Sequence, residues 1–131
     1  MIPSYLVMNG GLNVLNAIRG AITCENTSES INENTKIMLQ RIMFLNGLDI
    51  EQIISVIFTC TKDLNAAYPA AAAREIGIVS ASLLNMAEMD VSGSLMGCIR
   101  VQVLAEMEVA QKDINHVYLK EARALRPDLV D

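Results

Sequence analysis

From Cys98 to Glu106 the chain alternates: Ile99, Val101, Val103 and Ala105 fall on one side and Arg100, Gln102 and Glu106 on the other, with Leu104 the apolar exception. That period predicts a strand buried on one face. Arg100 then points away from the apolar side of its own strand. The stretch before it, Asp90-Val-Ser-Gly-Ser, has turn chemistry, and Glu88 stands at the entry to that turn. The loop can therefore fold the carboxylate back towards the guanidinium. Such a pair lines a polar pocket or makes a surface ion pair of little energetic weight, and spacing alone favours the ion pair.

The remaining pattern predicts four further strands and two helices. Leu12 to Thr23 holds strand material in Val14, Leu15, Ile18 and Ile22, with Arg19-Gly20 near its end. Thr27 is a fitting N-cap, with Ser30-x-x-Glu33 an alternative capping box. Ile31, Thr35, Met38, Leu39 and Ile42 then recur at helical spacing up to a stop at Gly47. Asp49-Ile-Glu-Gln is a short capped turn. Ile53 to Thr59 is a strand apolar on both faces, hence one to be buried on both. Tyr68-Pro69, the alanines 70–73 and Arg74-Glu75-Ile76-Gly77 read as a short helix with Pro first and Gly after its end. Ser80 to Leu84 is a third strand and Ile114 to Ala122 a fifth, on which His116, Tyr118 and Lys120 share a face. Residues 1–11 read as an extension to a single domain spanning 12–131, loosely held unless Tyr5, Leu6 and Val7 find a groove.

One long and one short helix over a mixed five-stranded sheet make an α+β fold. One long helix cannot cover both faces of a sheet, so the second cover is expected from another subunit.

Composition narrows the chemistry. The 131 residues include fifteen acidic and ten basic side chains, a formal charge of −5, which argues against a nucleic-acid surface. An anion site here has to be local. The three cysteines, Cys24, Cys60 and Cys98, are widely spaced, and His116 is the one histidine, so neither a disulfide framework nor a metal site is expected. No stretch approaches the roughly 20 apolar residues that span a bilayer. The first basic residue is Arg19, a poor start for a signal peptide, and the expected compartment is the cytoplasm.

The wording of the central segment carries a resemblance. Glu88-Met-Asp-Val-Ser-Gly-Ser-Leu followed by Cys98-Ile-Arg-Val, with His116-Val-Tyr-Leu and Leu125-Arg-Pro-Asp-Leu downstream and Ala17-Ile-Arg-Gly-Ala upstream, resembles the small monofunctional chorismate mutases of the trimeric, non-all-helical class. The similarity runs over roughly residues 14 to 129. It implies a homotrimer forming a pseudo α/β barrel and conversion of chorismate to prephenate, a step towards phenylalanine and tyrosine. That unimolecular pericyclic rearrangement needs no nucleophile, metal or cofactor. It needs a compact conformer of a dianion, and positive charge where the breaking C–O bond gathers negative charge.

Position by position, the resemblance implies that Arg100 contacts the ether oxygen and one carboxylate. Arg19, helped by the Tyr118 hydroxyl, would hold the other carboxylate. Glu88 would accept the ring hydroxyl, with Asn85 at the same contact, and neighbouring Leu84 would also line the substrate. Arg74 and Arg126 would supply rim charge, Arg126 from a closing C-terminal segment. Tyr68, Ala70 and Leu125 would form apolar walls, and the Tyr68–Arg74 segment of one chain would face the remaining groups of the next. Three positions depart from the family pattern. Asn85 stands where some members carry cysteine, Ala71 where others carry lysine, and Tyr68 replaces phenylalanine. Two other readings stand beside the enzyme: a non-catalytic trimeric module binding a small carboxylated metabolite, and an interaction protein whose polar face meets a protein partner.

Overall fold

The computed structural model describes residues 13–129, so the expected extension over residues 1–11 lies outside the described residues. Five strands form one mixed sheet: β1 (Asn13–Thr23), β2 (Ile53–Cys60), β3 (Ser82–Ala87), β4 (Cys98–Val109) and β5 (Val117–Leu119), in the spatial order β3-β2-β4-β1-β5. β4 lies at the centre, antiparallel to β1 and β2, while the edge strands β3 and β5 run parallel to β2 and β1.

Two helices cover one face. α1 (Ser28–Leu45) begins where the Thr27 side chain accepts the Ser30 N–H, satisfying one of the unpaired donors of the first turn. It ends at Asn46, with Gly47 following at φ 57, a conformation that costs glycine little. Its buried stripe is Ile31, Asn34, Thr35, Met38, Leu39 and Ile42. The shorter α2 (Pro69–Glu75) has its proline in the first turn and Gly77 beyond its end at φ 101. Glu75 fastens it to α1, accepting from Asn32 at 2.8 Å and pairing with Lys36 at 2.8 Å. Beneath the helices lies the main core, in which Ile18, Ile22, Val56, Phe58, Ile99, Val101, Val103 and Val117 of the sheet meet Met38, Leu39 and Ile42 of α1.

A second, smaller cluster lies on the opposite face. Ala21, Cys98, Tyr118 and Ala122 are buried there, with Leu95, Leu125 and Leu129 packed against them. The C-terminal segment makes this cluster. After β5 it turns through Lys120 (φ 55) into short 3-10 stretches over Lys120–Leu125 and Pro127–Leu129. The Thr23 hydroxyl accepts the Glu121 N–H at 3.1 Å and holds the segment to the end of β1.

The structure differs from the sequence reading at three elements. The fifth strand is Val117–Leu119 rather than Ile114–Ala122, because Lys120 leaves extended geometry and its ammonium reaches Asn34 on α1. Lys120 therefore does not share a face with Tyr118. The third strand is displaced to Ser82–Ala87, where all six residues pair with Ser55–Cys60 of β2. The two-faced burial expected of β2 is met within the chain on one side only. Val56 and Phe58 are fully buried on the helix side, whereas Ile57 and Thr59 on the other are half-covered. Among the described residues no helix is long and apolar enough to cross a membrane.

At Gly20 the side chains of α1 pack directly onto the sheet backbone. A Cβ there would stand 2.9 Å from Ile42 Cδ1 and 3.1 Å from Val101 Cγ1. Gly20→Ala should therefore lower stability by about 1–3 kcal/mol through overpacking, read as a lower midpoint of urea unfolding. An unchanged or higher midpoint would mean that the helix rides further from the sheet.

Candidate active site

Strand register brings the candidate residues together. Across the face away from the helices, Met86 of β3 pairs with Thr59 of β2, Thr59 with Arg100 of β4, Arg100 with Ala21 of β1, and Ala21 with Tyr118 of β5. This single row crosses all five strands. A second row, one pleat away, runs through Leu84, Ile57, Gln102 and Arg19. Diagonal neighbours on one face lie about 7–8 Å apart, which sets Arg19 near Arg100. Arg100 and Tyr118 are two strand spacings apart, about 10 Å, with only the methyl of Ala21 between them.

Glu88 closes one end of the first row. It follows β3, its N–H donates to the Cys60 carbonyl at 3.0 Å, and its position two residues after Met86 turns its side chain to the same face. There Oε1 lies 3.3 Å from Arg100 Nε and accepts the Thr59 hydroxyl at 2.5 Å. The Glu88 side chain is 21% exposed and that of Arg100 47%. A pair so half-covered is screened by water at one end, and the guanidinium keeps its outer edge accessible.

The other end is built by the chain around β5. Asn46 at the end of α1 exchanges hydrogen bonds with the backbone of Asn115 (2.9 and 3.0 Å), fixing the approach to the strand. His116 Nδ1 then accepts the Arg19 N–H at 3.0 Å, which requires that nitrogen to be unprotonated. Burial, Arg19 and Arg126 all hold the imidazole below its ordinary pKa. Arg126 donates to both oxygens of Asp128, from Nε at 3.1 Å and from Nη2 at 2.8 Å. Asp128 is in turn held below the usual carboxylate range, chiefly by that contact. Tyr118 is buried beside this tail.

The structure thus joins Arg19, Leu84, Glu88, Arg100 and Tyr118 on one face, with Leu125 and Arg126 above them on the C-terminal segment. It keeps the rest apart. Tyr68 is the exposed N-cap of α2, and Arg74 is exposed in the helix's last turn. Because α2 packs on the helix-covered side, these two are separated within one chain from the arginines by the sheet. Ala70 is buried in the main core, and its N–H donates to Asn85 Oδ1 at 3.0 Å. The Asn85 side-chain oxygen is therefore engaged with the start of α2, on the side of β3 opposite Glu88. A cleft of about 570 Å³ runs along this edge between Tyr68, Pro69, Asn85 and Met86, and does not reach Arg19, Arg100 or Tyr118.

Sequence reasoning missed Thr59, His116 and Asp128. Asp128 stands two residues from Arg126, a proximity visible in the sequence. Thr59 owes its partner to register and gave no signal, and His116, though its face was shared with Tyr118 in the pattern, gave none for its bond to Arg19.

Comparison with known proteins now bears on this face. The family model described as chorismate mutase type I matches residues 15–129. The chain belongs to that family. Among type I chorismate mutases, it is 45% identical over 118 residues to chorismate mutase AroH of Thermus thermophilus, covering 88% of this chain and 97% of that protein. It is 41% identical over 118 residues to chorismate mutase AroH of Bacillus subtilis, covering 88% and 93%. A solved chorismate mutase from Clostridium thermocellum superposes with a TM-score of 0.81 at 49% identity, over 82% of this chain and 97% of that one.

The His116 contact has a pH signature. With the folded pKa lowered, the unfolded chain takes up the proton first as pH falls. Stability should be full above about pH 6.5 and decline as pH falls from there through the folded pKa. Urea midpoints between pH 7.5 and 5 should show that decline, and His116→Asn, which keeps an acceptor that does not titrate, should reduce it. An equal slope in the variant would assign the dependence to other groups.

Proposed function

We propose that the chain converts chorismate to prephenate in the cytoplasm, on the path to phenylalanine and tyrosine. The observation that carries this reading is one row of the open face: in a type I chorismate mutase chain, Glu88 and Arg100 meet at 3.3 Å with Tyr118 in register beyond them. The rearrangement breaks a C–O bond and forms a C–C bond within one molecule, so the protein's task is conformational and electrostatic. Arg100 holds the ether oxygen and one carboxylate, because its planar fork stays charged and binds two acceptors at once. Arg19 and Tyr118 hold the other carboxylate, which fixes the compact conformer. Glu88 takes the ring hydroxyl through its second oxygen. Leu84 and Leu125 form walls, and Arg126 adds charge from above. Asn85 and Ala70 shape the wall through the start of α2.

The site is completed by a second copy. Tyr68 and Arg74 lie across the sheet from the arginines in their own chain, and half-covered Ile57 with exposed Leu84 and Met86 leaves apolar surface on the open face to be sealed. A homotrimer with sites between subunits, enclosing the open faces as a pseudo-barrel, satisfies both. The family match begins at residue 15, which supports a single domain from residue 12 preceded by an extension over 1–11.

Loss of chorismate absorbance, with prephenate identified as the product, tests the activity. No conversion above the uncatalysed rate by folded protein would overturn the mutase reading and favour a binding module. Arg100→Ala should lower kcat by roughly two to four powers of ten, the rate equivalent of about 3–5 kcal/mol of lost charge stabilisation. Arg100→Lys should fail to restore it, and near-normal kcat there would refute the role of the fork. Arg126→Ala should raise KM with a smaller change in kcat. Native mass spectrometry should find three chains per particle, and a fully active monomer would rule out the shared site.

A further inference from the structure

We infer that Thr59 is a positioning residue for the Glu88 carboxylate, selecting which of its oxygens faces the substrate. This rests on the mutase reading. Thr59 occupies the pleat between Met86 and Arg100 on the open face, and its hydroxyl donates to Glu88 Oε1 at 2.5 Å. Arg100 Nε approaches that same oxygen at 3.3 Å. The Thr59 hydroxyl, by a hydrogen bond, and the Arg100 guanidinium, as an ion pair, therefore converge on Oε1, and among the described residues no side chain donates to Oε2. Two charge-assisted contacts on one oxygen fix the rotation of the carboxylate plane. The free oxygen then has its acceptor capacity in reserve for a hydroxyl of the ligand.

The hydroxyl does a second thing. A glutamate beside an arginine, with no other donor, can swing to form a forked pair with it, using the guanidinium edge that a substrate carboxylate requires. Thr59 gives Oε1 a partner on the neighbouring strand and so draws the carboxylate away from a two-oxygen embrace of Arg100. In this arrangement the acid and the base of the site stay adjacent without neutralising each other's binding edges. A valine would fill the same volume on the strand and have none of this effect.

Thr59→Val is nearly isosteric, and its β-branched side chain suits a strand, so fold and thermal stability should hold. kcat/KM for chorismate should fall about tenfold, the size expected for one hydrogen bond to a charged group. Thr59→Ser should recover most of the loss. In a Glu88→Gln background, Thr59→Val should cost little more, because the hydroxyl acts through the carboxylate. A Thr59→Val enzyme within twofold of the parent would overturn the inference, as would the same tenfold loss in both backgrounds. Crystal structures of the parent and Thr59→Val protein supply a readout that needs no turnover. Glu88 should rotate towards Arg100 in the variant, and an unmoved carboxylate refutes the inference. A parent protein inactive on chorismate would instead count against the mutase reading, with the rotation of Glu88 still deciding the role of Thr59.

Discussion

The pairing of β4 with both its neighbours is the constraint on which everything else depends. Because side chains alternate strictly along a strand, the register that faces Ile22 to Ile99 and Phe58 to Val101 under the helices also sets Ala21 and Thr59 beside Arg100 on the other face. A slip of one residue would move Arg100 into the apolar core and put Ile99 in its place. The burial of one face therefore holds the polar constellation of the other in position. The site needs few contacts of its own because the core supplies its geometry.

Two adjacent small residues on β1 serve opposite sides of the sheet. Gly20 lacks the Cβ that would collide with Ile42 and Val101, so α1 settles close to the sheet and the main core seals. Ala21 projects the other way, buried between Arg100 and Tyr118, where a larger side chain would fill the space between them. The C-terminal segment crosses to this face after Lys120 and lays Leu125 and Leu129 beside Ala21. Its bond from Glu121 to Thr23 and its packing, rather than regular secondary structure, hold it there.

Charge is local on a chain whose balance is acidic. Each arginine of the open face has an anionic or polar companion: Glu88 beside Arg100, Asp128 beside Arg126, and His116 on the backbone of Arg19. The two carboxylates lower the cost of gathering cations before a dianion arrives. Asp128, bound through both oxygens, also fixes the plane of the Arg126 guanidinium, which matters for an anion recognised by two-pronged contacts. His116 fits this role only while neutral, since a third cation at that end would repel both Arg19 and Arg126.

The sequence by itself determined the local elements. Thr27 and Gly47 bounded α1, Pro69 and Gly77 bounded α2, and the alternation along Cys98–Glu106 marked β4 and the outward direction of Arg100, because caps, turns and period act between residues close along the chain. The wording around Glu88, Arg100, Tyr118 and Arg126 also carried the family. Tertiary structure alone decided what depends on register and on edges. It set the short reach of β5, the displacement of β3, the hydrogen bond of Thr59 to Glu88, the bond of His116 to Arg19, and the engagement of Asn85 with α2. Each is a contact between residues far apart in sequence, and pairing register has no local signature by which either partner announces the other. The same holds for the face left open: alternation showed that β2 is apolar on both sides, but only the packed chain showed which side its own helices leave uncovered.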